Sequence, residues 1–265
     1  MKIKAFWSIL LALVLTFSLA AAEGEDQLAR IQAQGEIVIA TEGAWAPWTY
    51  HDENDVLVGF DVEVAQAIAA KLGVTAKFVE TEWDGIFAGL DSSRYDMAAN
   101  GVEITEERAQ KYDFSTPYGY IRTALIVRGD NDSIASFEDL NGKRTANSIA
   151  STYMTLAESY GATAVGVDTL DQTLSMVLSG RADATLNAEV VFLDYQKAHP
   201  DADIRIAAYS DEPGQIAIPV RKGEDSASLR AAVDQAIAEL RDEGELTRIS
   251  EKYFGKDITA VPTEE

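Results

Sequence analysis

Apolar positions along this chain fall in short runs that switch between a period of two and a period near 3.6. Residues 36–41 (EIVIAT) read as a short strand and 56–60 as another, closing on Gly59-Phe60-Asp61. Asp61 can cap a helix in which Val64, Ile68 and Leu72 recur every four residues, with Gly73 as the stop. The pattern then predicts a strand over 75–79, a short helix over 83–90, a buried strand over 95–99 and a longer β-rich run over 120–127. Residues 137–140 with Asn141-Gly142 predict a helical turn and a tight turn. Ser151 or Thr152 can cap a helix that runs to Tyr160 and stops at Gly161. A strand over 165–167 precedes a helix over 170–178, with Leu170, Leu174 and Leu178 on one side and Gly180 closing it, and 182–186 forms the next strand. Leu229, Val233, Ile237 and Leu240 make a helical stripe with Gly244 as its C-cap, and a last helix covers 246–253 before Gly255. Strands alternating with helices predict an α/β architecture with largely parallel sheets.

The first 22 residues do not share this alternation. Lys2 and Lys4 give a basic start, 5–15 is mostly apolar, and Leu19-Ala20-Ala21-Ala22 ends the stretch in small residues. That layout predicts a secretory signal peptide cleaved before Glu23, since the apolar part is short against the ~20 residues a spanning helix needs. No Cys follows it, so a lipid anchor is not expected, and no second apolar run approaches membrane length. The expected location is periplasmic or extracellular. Composition narrows the chemistry. The chain has 265 residues, 47% of them apolar, enough for a core. The absence of Cys excludes a disulfide framework, an Fe–S cluster, a Cys–Zn site and a Cys nucleophile. Two His, His51 and His199, cannot build a three-His metal site; a carboxylate metal site stays open by composition, but nothing has EF-hand spacing, and neither a metal nor a cofactor is expected. With 44 Asp+Glu against 22 Lys+Arg the net charge is −22, which sets the protein against nucleic-acid phosphates.

One pattern occurs twice. Residues 94–100 (RYDMAAN) and 181–187 (RADATLN) share Arg-x-Asp-x-x-x-Asn, each after a short helix. This is either chance similarity between two α/β units or the mark of two similar lobes, in which Asn100 and Asn187 end strands facing one cleft. Other candidates also follow strands. Trp45 in the turn-rich stretch 41–48 and Trp83 at a helix start can each stack on a ligand or pack within a lobe. Gly101 lets backbone N–H groups approach a ligand. Arg108 can grip a carboxylate bidentately or pair with Glu106 and Glu107 at the surface. Ser148 to Thr152 leads into a helix N-terminus, suited to an anion or to simple capping. No GxSxG, phosphate loop, GxGxxG or HExxH occurs. The residues alone therefore point to an exported two-lobed α/β protein that binds rather than catalyses.

Several motifs, in order along the chain, carry a resemblance. They include Gly59-Phe60-Asp61-Val62-Glu63-Val64-Ala65, Trp83-Asp84-Gly85-Ile86, Ile104-Thr105-Glu106-Glu107-Arg108 and Phe114-Ser115-Thr116-Pro117-Tyr118. Asp139-Leu140-Asn141-Gly142-Lys143, Gly180-Arg181-Ala182-Asp183-Ala184 and Tyr253-Phe254-Gly255 follow. Together they resemble the bacterial extracellular solute-binding proteins of family 3, receptors of polar amino-acid ABC importers. The stretches 145–148 and 192–195 with His199-Pro200 look most like the cystine-binding branch. The resemblance implies a type II periplasmic-binding-protein fold, with lobe 1 over 23–125 and 215–265, lobe 2 over 126–214, and two crossover strands joining them. It implies a monomer that closes on an amino acid and presents it to a membrane permease. It places the ligand's α-carboxylate on Arg108, with help from the backbone around Gly101 and Glu103 and from the Thr152 hydroxyl. It places the ligand side chain between Trp45 and Trp83, with Glu42 tuning which side chain is accepted.

The chain departs from the family where an Asp normally follows the position of Asn187 and binds the α-ammonium. Here the residue is Ala188. An unpaired ammonium in a closed cleft is costly. Glu103, where the family has Ser or Thr, can supply the acid with Asn187 assisting, and Glu189 is a second candidate that strand alternation turns away. Exported cyclohexadienyl dehydratases resemble the same receptors, which keeps open an enzyme with Glu103 or Glu189 as general acid. A sensor domain would need a transmembrane or signalling segment.

Overall fold

The computed structural model describes residues 26–260, so the leader expected at 1–22 lies outside the described residues. The chain is a type II two-lobed α/β protein built on two main sheets. The first is a parallel sheet in which Glu36–Thr41 lies between Thr75–Glu80 and Met97–Ala98. The second has five strands in the order Thr163–Val167, Arg144–Ser148, Ala184–Ala188, Thr123–Arg128, Ile204–Tyr209. Its first three strands are parallel, but Thr123–Arg128 runs antiparallel to both neighbours, so the parallel expectation holds for only part of this sheet.

The β-rich run predicted over 120–127 is two strands in two places. Gly119–Ile121 pairs antiparallel with Gly214–Ile216, while Thr123–Arg128 already belongs to the five-stranded sheet. Both halves are buried, and only the exposed Arg122 separates them. The paired segments are thus the two crossings between the sheets. Along Thr123–Arg128 the pleat sends Ala124 and Ile126 into one core with Leu174, Val177 and Phe192. It sends Leu125 and Val127 into another core with Ile134, Phe137 and Leu140.

The helix Phe60–Lys71 is capped by Gly59 and not by Asp61, because Asp61 lies inside its first turn. A Cβ at position 59 would collide with the Trp48 carbonyl, so glycine takes the cap, and the acid is free for another task. Ser151 caps Thr152–Ser159 by accepting from the Met154 N–H at 3.1 Å. Gly244 does not end the stripe helix Ala227–Asp242. It opens the next one, Glu245–Phe254, in the left-handed conformation. The stripe residues Leu229, Val233, Ile237 and Leu240 are all buried, each contributing about 1.5–3 kcal/mol by leaving water.

The repeated Arg-x-Asp-x-x-x-Asn pattern has a structural meaning. Asp96 accepts from the Val38 N–H and Asp183 from the Arg144 N–H, both at 2.8 Å. Each acid pins the neighbouring parallel strand of its own sheet, by a bond stronger than one between neutral groups.

Candidate functional site

The two sheets bring the carboxyl ends of their parallel strands to opposite walls of one cavity of about 500 Å³, ample for a small molecule. Nine of the ten residues singled out from the sequence line it: Glu42, Trp45, Trp83, Gly101, Glu103, Arg108, Ser148, Thr152 and Asn187. The tenth, Asn100, does not. It is fully buried behind Glu42, donating to a Glu42 carboxylate oxygen at 2.6 Å and accepting from the Glu42 N–H at 2.8 Å. Asn100 therefore positions Glu42 and does not reach the cavity, so the symmetry of the repeat stops at its last residue.

Trp45, on the short strand Ala44–Trp45, stacks on the buried Trp48 with ring centroids 5.4 Å apart and planes 11° apart. This leaves its other face for the cavity. Gly101 lies hard against the Trp45 ring. Its N–H donates to the Asp61 carboxylate, so the amide offered to a ligand by the sequence pattern is committed inward. Trp83 is the first residue of Trp83–Asp91 and donates its indole N–H to the Ala150 carbonyl at 3.4 Å, a contact from one lobe to the other.

Arg108 sits in Glu106–Lys111, capped by the Thr105 hydroxyl at 3.1 Å. Its guanidinium donates to the Glu103 carbonyl at 2.9 Å and lies 5.2 Å over the Trp83 ring and 5.3 Å over Phe87. Glu107, which could have neutralised it, pairs with Lys111 at 3.0 Å. Burial lowers the Arg108 pKa, opposed by the nearby Glu103. A half-buried, preoriented guanidinium with free donors favours a planar anion.

The remaining charge in the lining is negative: Glu42, Glu80, Glu82, Glu103 and Asp168, against Arg108 as its cation. Burial raises the Glu42 pKa, with Glu82 adding repulsion and Asn100 opposing. The Glu103 carboxylate lies against the backbone of Gly214 on the return crossing. Glu189 opens Glu189–Ala198, forms an ion pair with Lys256 and is absent from the cavity lining.

Several lining residues were missed from the sequence. Asp168, Thr169 and Leu170 follow the strand Thr163–Val167, and Glu80, Thr81 and Glu82 lie at the end of Thr75–Glu80. The strand-end rule applied to Asn100 and Asn187 would have found both groups. Tyr153 is the third omission. Its hydroxyl lies beside the Ala188 N–H, and its pKa is raised by burial and then by Glu103. At Ala188, then, a phenol stands close to where the resemblance leads one to expect an acid. Among the described residues no group of three metal-binding side chains occurs and no helix is long and apolar enough to cross a membrane.

Two α/β lobes, two crossings and an inter-lobe cavity with one oriented guanidinium define a hinged receptor for a small solute. Residues 37–256 match the family model described as bacterial extracellular solute-binding proteins, family 3, and the chain belongs to that family. It is 39% identical to the L-cystine-binding protein TcyA of Bacillus subtilis, over 90% of this chain and 88% of the relative. The L-cystine solute receptor of Neisseria gonorrhoeae, solved in an unliganded open conformation, is 40% identical. That match covers 89% of this chain and 99% of the receptor, with a TM-score of 0.61. An ancestral arginine-binding protein bound to arginine is 36% identical over 83% of this chain and 99% of that protein, with a TM-score of 0.77. The chain is a substrate-binding protein of the class that serves amino-acid ABC importers.

Proposed function

We propose that this protein captures a polar L-amino acid, foremost L-cystine, between its lobes and delivers it to the membrane permease of an ABC importer. It would act as an exported monomer, released by cleavage before Glu23, with no catalytic step. The observation that carries the reading is the Arg108 guanidinium, oriented by the Glu103 carbonyl and Trp83 yet paired with no carboxylate among the described residues. The ligand α-carboxylate supplies that partner. Glu103, assisted by Asn187 and the Tyr153 hydroxyl, takes the α-ammonium in place of the acid that Ala188 lacks. Trp45 and Trp83 flank the side chain, and Glu42 faces its far end.

The pair Gly119–Ile121 and Gly214–Ile216 serves as the hinge, and it moves the first boundary expected at 125 back to about Arg122, because Thr123–Arg128 already pairs within the second sheet. Two observations support a closed arrangement. Trp83 reaches Ala150 across the cleft. The fit is also better to the ligand-bound relative than to the open one, although the open one is more alike in sequence.

A second reading, a basic amino acid, is favoured by the five acids and single guanidinium of the lining. The far end of cystine carries a carboxylate as well as an ammonium, whereas that of arginine or ornithine carries only a cation. A thermal-shift screen of residues 23–265 against the twenty amino acids, cystine, ornithine, dicarboxylates and prephenate tests the proposal. A ligand at 100 times its Kd stabilises by about 2.7 kcal/mol. A response to cystine supports the first reading, and a larger one to arginine or ornithine the second. A response to dicarboxylates alone, or turnover of prephenate, overturns both.

A further inference from the structure

Beneath the cleft lies a buried carboxyl that does not line the cavity. Asp61 is 1% exposed, inside the first turn of Phe60–Lys71. One of its oxygens accepts from the Tyr118 hydroxyl at 2.7 Å and the other from the Gly101 N–H. Its own N–H donates to the Trp48 carbonyl at 3.0 Å. Gly101 in turn lies between this carboxyl and the Trp45 ring: a Cβ there would stand 2.6 Å from Trp45 and 3.4 Å from Trp48. The chain of contacts runs from Asp61 through Gly101 to a wall of the cavity.

We propose that Asp61 is a positioning residue for amino-acid binding: its carboxylate pins the Gly101 backbone, sets the Trp45 face of the cleft, and couples ligand affinity to its own ionisation. The inference rests on reading the cleft as an amino-acid site. The ionised form accepts both bonds with full charge, and a charge-assisted bond is roughly twice as strong as a neutral one. The protonated form must turn one oxygen into a donor toward Tyr118 and holds Gly101 only through a neutral carbonyl. Burial pushes the Asp61 pKa up to about 7, against the pull of its two hydrogen bonds, so the change falls near neutrality. Tyr118 is the titratable side chain that faces Asp61 among the described residues, and its own pKa is raised well above its usual value, so it stays protonated throughout. The Trp48 loop and the 100–102 segment present backbone, and Phe60 presents an apolar ring.

The Gly101 amide resonance of ¹⁵N-labelled protein, followed by NMR without ligand from pH 5.5 to 8.5, reads the coupling directly. The resonance should titrate with a midpoint near the Asp61 value, and Tyr118→Phe, which removes a bond favouring the carboxylate, should move that midpoint upward. In Asp61→Asn the titration should vanish. Calorimetry with L-cystine and with L-arginine between pH 5.5 and 7.5 gives the functional arm. Affinity should fall on the order of fivefold as the wild type is acidified, down to the weaker, pH-independent level of Asp61→Asn. A Gly101 resonance that ignores pH, or that titrates alike in wild type and Tyr118→Phe, overturns the proposal even if the Asn variant does not fold. Should neither amino acid bind at any pH, the receptor reading fails while the NMR arm still decides whether Asp61 holds Gly101. A normal Gly101 titration with affinity flat in pH overturns the coupling alone.

Discussion

Replacing Gly101 by Ala tests how tightly the floor of the cleft is built. Gly101 has φ +57, in the left-handed region, where a β-carbon costs about 1–2 kcal/mol. The added atom would lie 2.6 and 2.9 Å from two atoms of the Trp45 ring, so the ring must move off Trp48, and that stack is worth about 0.5–1.5 kcal/mol. Together the destabilisation is about 1.5–3.5 kcal/mol, a fall in Tm of roughly 3–14 °C for a protein of this size. Gly35 provides the control: its φ is +70, but a methyl group added there would meet nothing within 4 Å, so Gly35→Ala incurs only the backbone cost. Differential scanning calorimetry should show Gly101→Ala losing about 0.5–1.5 kcal/mol more than Gly35→Ala. The displaced indole also enters the cavity, so affinity for the bound amino acid should fall more than tenfold on the order expected for lost packing. Equal melting points for the two variants would refute the reasoning, because the close approach of Gly101 to Trp45 would then carry no energy.

Three other expectations follow from the same geometry. Arg108→Lys keeps the charge but loses the fork, so ligand affinity should drop by about 2 kcal/mol, near thirtyfold by calorimetry, with little change in ligand-free Tm. Trp83→Phe removes the donor to the Ala150 carbonyl, and stopped-flow dissociation should be faster by about two- to tenfold. The raised Glu42 pKa means that its stabilising protonated form prevails below the ordinary carboxylate range and is lost as pH rises through the folded value. Glu42→Gln should therefore melt higher than wild type at pH 7.5 and lose that advantage by pH 4.

How far the sequence foretold the structure depended on whether the controlling interaction was local. Glu36–Thr41 and Leu170–Leu178 match their predicted bounds, because period and caps lie within a few residues. The sheet change inside 120–127 was hidden because two consecutive buried strands look alike as an apolar run. Asp61 looked like a cap because an acid at a helix start usually is one, and its partners lie 40 and 57 residues away. Asn187 lines the cavity and Asn100 does not, although both end the same repeat, since Glu42 covers only the latter. Tyr153 could not be placed from spacing, since its importance depends on the strand that brings Ala188 beside it.

We assign the α-carboxylate of an amino acid held between the lobes to Arg108. Calorimetric titration of residues 23–265 with each amino acid beside its decarboxylated counterpart, L-cystine with cystamine and L-arginine with agmatine, tests it most directly. An amino acid should bind one to one and its amine at least ~100-fold more weakly, as expected when a charge-assisted pair loses one partner. Equal affinity for the amine and the amino acid would contradict it.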